Sequence, residues 1–459
     1  MGQSATCGLQ KEFFVRFAWR GVLFLVFLVM ACAPMRLFAQ STPAPQTQAA
    51  PSAQPVAAYH LPADKLRQAV VLGRIRTTLG ITGGLWSIGF LWLFLARGWA
   101  AGLARWAEAR TQRRWLSGVL FFAIFLLFST FAELPLGLLG HAVGLHYKIS
   151  VQGWGGWWAD QAKSLALSLL LIAPLLLLFH WLVRRAPRRY WLWLWAVSVP
   201  LSLASVFVSP LIIDPIFNKY EPLTAHHAEL VPKLEQVVAR TGTQIPPERM
   251  FLMKASAKSN GINAYVTGIG ASKRFVLWDT TTDRMPDDEI LFIFGHESGH
   301  YVLHHIPKLI AGSLLGLLVA FGLSAHFAGR WASKKASRWH LAEDPEKNPL
   351  ASRQGFLLIL LALSVVSLIG APISNAFSRH YEHEADVYGQ EAIHGIVADP
   401  QRATVSSFNH MGAAWLEDPN PSPLVEFWLY NHPSVQHRAA FAAQYDPWTA
   451  GGHGRFFAH

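Results

Sequence analysis

Residues 286–300 have the sequence PDDEILFIFGHESGH, and this stretch decides how the surrounding chain must fold. A proline followed by three acidic residues is typical of the first turn of a helix, where the helix dipole favours negative charge. Residues 290–294 are all apolar, which indicates that this side of the helix is buried. His296 and His300 project from one face, because they are four residues apart. We therefore expect a buried helix that presents two imidazoles beside the carboxylate of Glu297.

Two histidines at this spacing can share a zinc ion, and Glu297 can then act on water at the metal. A surface helix with scattered histidines is the alternative, but an uncompensated buried glutamate beside two histidines is costly. A catalytic zinc site takes three protein ligands and keeps a fourth position open. The spacing offers Glu382 or Asp386 as the third ligand, since both follow the last apolar segment on one helical face. The other carboxylate would then accept a hydrogen bond from a ligand histidine.

The composition is that of a membrane protein. Hydrophobic residues make up 52% of the 459 residues and charged residues only 15%, against roughly 25% charged in soluble domains. The net charge of +11 lies in short clusters beside apolar segments, which favours topology signals over nucleic-acid binding. Six segments have about the 20 apolar residues that cross a bilayer: 78–97, 116–140, 164–183, 190–213, 306–328 and 355–377.

The order of these segments predicts five regions. Residues 1–39 form a signal-like segment or a first transmembrane helix, because basic residues precede an apolar run there. Both cysteines, Cys7 and Cys32, lie in this region, so no disulfide or thiolate metal site is expected beyond it. The remaining regions are a Pro/Ala-rich linker with an amphipathic segment (40–76), an N-terminal transmembrane domain (77–213), a zinc metallopeptidase domain with two transmembrane helices (214–445) and a C-terminal tail (446–459).

The peptidase region also contains a part that is not membrane-like. A helix at about 224–241 is followed by three short runs of β-forming residues, which predict a small α+β unit. The runs lie around 250–253, 262–267 and 275–278.

Several segments outside the zinc helix carry further motifs: IDPIFNKY (213–220), KSNGINAY (258–265), KRFVLWDT (273–280), WLYNHP (428–433) and the loop pattern of residues 133–163. Together with the zinc helix, they resemble the type I CAAX prenyl endopeptidases, multi-spanning zinc proteases related to the HtpX heat-shock peptidases. The resemblance implies a mainly α membrane protein. About seven transmembrane helices would surround a water-filled chamber, with a small α+β zincin-like catalytic unit at its rim.

Position by position, the resemblance implies one zinc ion per chain, held by His296, His300 and Glu382. It implies that Glu297 is the general base and that Asp386 supports a zinc ligand.

Two later residues receive roles from the same resemblance. His432 would help to stabilise the tetrahedral intermediate, and Asn263 would bind the substrate backbone. Four further histidines are interpreted as structural or interfacial: His304, His305, His380 and His383.

The expected function is therefore that of an integral-membrane zinc endopeptidase that cleaves peptide bonds without a covalent intermediate. The resemblance implies CAAX-box processing of a peptide or protein substrate, lipidated or embedded in the membrane. Membrane-protein quality control of the HtpX kind is an alternative, and a non-enzymatic transporter or scaffold is another. A transporter predicts charges within the spans, yet they contain few, such as Glu133 and His180. Membrane lipids are the other expected partners, and nucleic acid is not expected.

Positive charge in short loops predicts which side of the membrane the catalytic residues face, because short loops rich in Lys and Arg stay cytoplasmic. The leader and three alternate loops, which would lie on one side of the membrane, are rich in Lys and Arg: the leader has three, residues 97–114 five, residues 184–189 four and residues 330–353 six. The stretches between them would lie on the other side and have fewer: four in residues 40–76 and two in residues 141–163. The sequence therefore predicts a bacterial inner-membrane protein with a periplasmic catalytic side. Eukaryotic relatives, as the resemblance implies, face the cytosol instead.

Overall fold

The computed structural model describes residues 59–268, 270–341 and 348–458. The predicted signal-like segment or first transmembrane helix at 1–39 lies outside these residues. The main described helices are α1 (Ala63–Ala96), α2 (Trp99–Arg110), α3 (Arg114–His146), α4 (Trp154–Arg185), α5 (Tyr190–Phe217), α6 (Val231–Thr241), α7 (Asp287–Val302), α8 (His305–Lys335), α9 (Arg353–Ala392), α10 (Pro400–Trp415), α11 (Pro423–Leu429) and α12 (Val435–Gln444).

Six of the described helices are long and apolar enough to cross a membrane: α1, α3, α4, α5, α8 and α9. Their shared interior contains tightly packed aromatic rings such as Phe122, Phe179 and Phe356. The outward faces expose other large apolar side chains, and Leu170 and Trp193 are examples with 69% and 55% of their surface accessible. Apolar surface of this extent is expected where lipid, not water, surrounds the protein. The predicted helical membrane architecture is confirmed.

Two of the spanning helices are longer than the apolar segments that predict them. Helix α1 begins at Ala63, so the amphipathic segment before residue 77 continues into the span without a break. Helix α9 has 40 residues, and Glu382 and Asp386 lie in its last three turns. The acidic cluster that follows the last apolar segment therefore lies on the same helix as that segment. No proline follows Pro372 in α9, so the backbone hydrogen bonds continue past the apolar part.

The catalytic part contains a four-stranded sheet with the order β1-β2-β4-β3. Strands β2 and β4 are parallel, and the outer pairs are antiparallel. The three predicted strands are present, and β1 is an additional one. Among the described strands, β3 pairs with β4 alone, so its other edge is open toward α7. The strands are β1 (Tyr220–Pro222), β2 (Met250–Met253), β3 (Ala264–Thr267) and β4 (Arg274–Trp278).

The helix predicted at 224–241 begins later, at Val231, as α6. Pro232 occupies the first turn of α6, where its fixed φ and missing N–H are tolerated. The first turn of the predicted helix is instead a separate 3₁₀ turn, Leu223–Ala225.

Glycines bring α7 and α9 unusually close together. A Cβ atom at Gly389 would lie 2.7 Å from the backbone nitrogen of His296, and one at Gly295 would lie 3.1 Å from the carbonyl oxygen of Gly389. The two backbones are therefore nearly in contact at this point. The close approach sets the carboxylates of α9 directly opposite the histidines of α7.

Candidate metal centre

Three side chains from α7 and α9 converge in the interior of the catalytic part. The Nε2 atoms of His296 and His300 are 3.2 Å apart. The two carboxylate oxygens of Glu382 lie 3.3 Å and 3.6 Å from these nitrogens. All three side chains are buried. Among the described residues, this is the one group of at least three His, Cys, Asp or Glu side chains close enough to hold a metal ion.

The donor atoms of this group fit a divalent cation. Oε2 of Glu382 is buried and lies 3.0 Å from Nε2 of His432 and 3.3 Å from Nε2 of His296, without the angles of a hydrogen bond to either. A buried carboxylate facing two imidazole lone pairs is costly unless a positive charge compensates it. Two histidine nitrogens and one glutamate oxygen form a ligand set that is found in catalytic zinc sites.

The structure distinguishes the two carboxylates that the spacing left open. Oδ1 of Asp386 lies 2.9 Å from Nδ1 of His296, the ring nitrogen that points away from Glu382. Arg438 donates two hydrogen bonds to Asp386, of 2.8 Å and 2.6 Å. Burial alone would lower the pKa of Arg438, but the carboxylate of Asp386 raises it above its ordinary value. Glu382 thus faces the convergence point, while Asp386 lies behind His296 as part of a buried ion pair.

Arg438 is a residue of the site that the sequence reasoning missed. It lies in α12, five residues after the His-Pro motif, and its side chain is almost fully buried. The available signal was its place directly before AAFAA (439–443), because a single arginine on an otherwise small and apolar helical face requires a buried partner.

Glu297 lies beside the group but does not belong to it. Its Oε2 accepts a hydrogen bond of 3.3 Å from the backbone N–H of Val266, on the open edge of β3. Burial raises the pKa of the Glu297 carboxyl to about 7, although nearby His296 opposes the shift. A carboxyl with a pKa near neutrality can both take up and return a proton at physiological pH.

The two remaining predicted site residues lie in the same cleft as Glu297. Asn263, His432 and Met411 are among the residues that line this cleft. Nε2 of His432 is 3.0 Å from Oε2 of Glu382. The backbone of Asn263 is engaged on the sheet side, since its N–H donates to Thr281 and its carbonyl accepts from Trp278. The structure therefore brings every predicted site residue together.

One histidine interpreted as structural or interfacial is closer to this centre than the sequence indicates. His305 is fully buried at the start of α8, and its Nδ1 lies 3.2 Å from Nδ1 of His300. In contrast, His380 is exposed and His383 packs against Phe441.

Two protein-family models match successive parts of the chain. Residues 46–219 match a family model described as the CAAX prenyl protease N-terminal part with five membrane helices, and residues 225–446 match peptidase family M48. The metalloprotease YhfN of Bacillus subtilis is 37% identical over 350 residues, which cover 76% of this chain and 79% of the relative. CAAX prenyl protease 1 of Saccharomyces cerevisiae is 28% identical over 326 residues, which cover 68% of each chain.

A solved structure shares the fold. The crystal structure of S. mikatae Ste24p superposes with a TM-score of 0.69 at 21% identity, covering 95% of this chain and 98% of that one. The expected recognition, fold class and enzyme class are thereby confirmed. The chain belongs to peptidase family M48 and is a multi-pass integral-membrane metalloendopeptidase similar to CAAX prenyl protease 1.

Proposed function

We propose that the protein binds one zinc ion per chain through His296, His300 and Glu382 and uses it to hydrolyse peptide bonds. The observation that carries the proposal is the convergence of three buried ligand atoms within 4.8 Å of one another. When bound, zinc would polarise the scissile carbonyl and lower the pKa of a water molecule.

The other residues of the cleft have distinct roles in this scheme. Glu297 takes a proton from the attacking water and later delivers it to the leaving amine. His432 donates a hydrogen bond to the oxygen on which negative charge develops, and Asn263 holds the substrate backbone. Asp386 fixes the ring of His296, because a carboxylate on the distal ring nitrogen determines its tautomer and orientation.

Metal analysis of the full-length protein in detergent tests the ligand set. We expect about one zinc ion per chain, and loss of peptidase activity on chelation that added Zn²⁺ reverses. Alanine at His296, His300 or Glu382 should lower zinc occupancy, whereas Glu297→Gln should retain zinc and lose turnover. Full zinc occupancy in all three alanine variants would refute the proposed site.

The substrate that we propose is an extended peptide segment of a membrane-attached protein. The open edge of β3 borders Glu297, and an extended chain can pair with such an edge largely independently of its sequence. The names of the yeast and Dictyostelium relatives, CAAX prenyl protease 1, suggest a prenylated carboxyl-terminal peptide as the substrate class.

Cleavage assays with matched peptides test this substrate class. Identical peptides that end in a CAAX sequence, with and without a prenyl group on the cysteine, are compared on the native protein and on Glu297→Gln. Faster cleavage of the prenylated peptide supports CAAX processing. Equal cleavage of both would contradict it, and the membrane proteins that accumulate in cells with Glu297→Gln would then identify the substrates.

We also propose that the protein lies in the bacterial inner membrane with its catalytic side in the periplasm. The three most basic loops contact one another at one end of the helical bundle. Arg353 binds Glu108 at 2.7 Å, and the side chain of Asn348 reaches the carbonyl oxygen of Pro187 at 3.5 Å. Because short basic loops are retained in the cytoplasm, this end is assigned to the cytoplasmic side.

Reporter fusions test the orientation. Alkaline phosphatase, which is active only outside the cytoplasm, is fused after Thr282 and after His459, and a cytoplasmic reporter is fused at the same positions. Phosphatase activity at both positions supports the periplasmic assignment. Activity of the cytoplasmic reporter at both would overturn it.

A further inference from the structure

A chain of polar groups extends from His300 away from the candidate metal centre. Nδ1 of His300 lies 3.2 Å from Nδ1 of His305, and Nε2 of His305 lies 3.3 Å from Oε2 of Glu384. The other oxygen of Glu384 accepts a hydrogen bond of 2.6 Å from Arg455, in the C-terminal segment. His305 is fully buried, and 15% of the Glu384 side chain is accessible.

Metal binding at His300 would fix which atom donates and which atom accepts each hydrogen bond along these polar groups. Nε2 of His300 faces Glu382 and His296, so a metal ion at the centre would occupy that nitrogen and leave the proton of the neutral ring on Nδ1. The Nδ1–H can then donate to His305 only if His305 accepts through its own Nδ1. The proton of the His305 ring must in that case be on Nε2, the nitrogen that faces the Glu384 carboxylate.

The other ligand histidine is supported in a comparable way. His296 faces Asp386 at 2.9 Å, and Asp386 is held by Arg438. In both cases a carboxylate paired with an arginine stands behind the ring. The arrangement behind His300 differs in that an imidazole stands between the ring and the carboxylate.

We propose that His305, supported by Glu384, is a positioning residue that fixes the ring of His300 for metal binding. This inference rests on the zinc site proposed above. Groups of this kind typically change metal affinity by about 10–100-fold, because they hold a ligand in the orientation that coordination requires. His305 and Glu384 belong to α8 and α9, so the packing of two spanning helices contributes directly to the geometry of the centre.

A purely structural role for His305 must be separated from this one. The His305 ring packs on Tyr381, with ring centroids 4.7 Å apart, so its removal would also leave a cavity. Phenylalanine preserves the aromatic ring and its packing but cannot accept a hydrogen bond. Asparagine has a smaller side chain, and its Oδ1 can accept a hydrogen bond near the position of Nδ1.

The test measures zinc affinity of the full-length protein in detergent by competition with a chromophoric chelator. His305→Phe should bind Zn²⁺ about 10–100-fold more weakly than the native protein. His305→Asn should recover most of the lost affinity, and Glu384→Gln should weaken binding in the same direction. His380→Phe is the matched control, because His380 is exposed and lies 3.8 Å from Glu384 without contacting His300. It should leave the affinity unchanged.

Two further readouts assign any failure to its cause. The visible spectrum of the Co²⁺-loaded protein should change in His305→Phe, because the ligand field depends on the orientation of His300. The melting temperature of the metal-free protein should not fall in His305→Phe. If His305→Phe binds zinc with native affinity, this inference is wrong, although the proposed metal site still stands. The inference is also wrong if His305→Phe and His305→Asn weaken zinc binding equally and both lower the melting temperature of the metal-free protein. If the native protein binds no zinc, the proposed metal site itself is wrong.

Discussion

Replacement of Arg438 by methionine should strongly destabilise the catalytic part. Arg438 and Asp386 form two hydrogen bonds of 2.8 Å and 2.6 Å, and each side chain has only 6% of its surface accessible. Arg438 also lies over the ring of Phe408, 4.5 Å from its centroid. Methionine can fill much of the same space but leaves the Asp386 carboxylate buried without its partner. Removal of one member of a buried ion pair costs about 3–5 kcal/mol.

This free energy corresponds to a measurable change in thermal stability. For a cooperative unit of about 200 residues, each kcal/mol shifts the melting temperature by about 2–4 °C, so we expect a decrease of roughly 6–20 °C. The assay is thermal unfolding in detergent at one fixed scan rate, since unfolding of a membrane protein is often irreversible. Zinc content is measured on the same samples, because a loosened Asp386 no longer holds His296.

Control variants identify the cause of the decrease. Arg402→Met removes an exposed arginine from α10 and should change stability by less than about 0.5 kcal/mol. The double variant Arg438→Met/Asp386→Asn removes both charges and should recover a large part of the loss, because a neutral pair no longer requires compensation. A decrease of less than 2 °C in Arg438→Met, equal to that of the control, would refute this reasoning about the buried pair.

Three other predictions concern the same centre. Glu382→Ala should lose zinc, whereas Asp386→Ala should retain a site weakened about 10–100-fold; the reverse result in metal analysis would exchange their roles. His432→Ala should lower kcat by about 10²–10³ with little change in KM, and an unchanged kcat would return His432 to a structural role. Gly389→Ala should lower the melting temperature and zinc content together, because the added methyl group would lie 2.7 Å from the backbone of His296 and overpacking costs about 1–3 kcal/mol. Native values of both would mean that α7 and α9 can separate there.

Local patterns in the sequence were sufficient to predict much of this protein. The run of acidic residues before 290–294 predicted the start of α7, since its signals lie within one or two helical turns. The spacing of His296 and His300 placed both rings on one face for the same reason. Segments of about 20 apolar residues predicted the six described spans, because crossing the bilayer requires a length and a composition that are both visible in a single stretch.

Contacts between distant segments were decided only by the tertiary structure. The sequence left Glu382 and Asp386 equivalent as candidate ligands, because both lie on one face of α9. Their distinction depends on the close glycine-mediated approach of α7 and α9, which turns Glu382 toward Nε2 of His296 and Asp386 toward Nδ1. Arg438, which lies 52 residues after Asp386 in the chain, binds Asp386 and holds it away from the ligand position. Its partner could not be read from any local pattern, because a buried charge is paired by whichever segment packs against it in the folded chain.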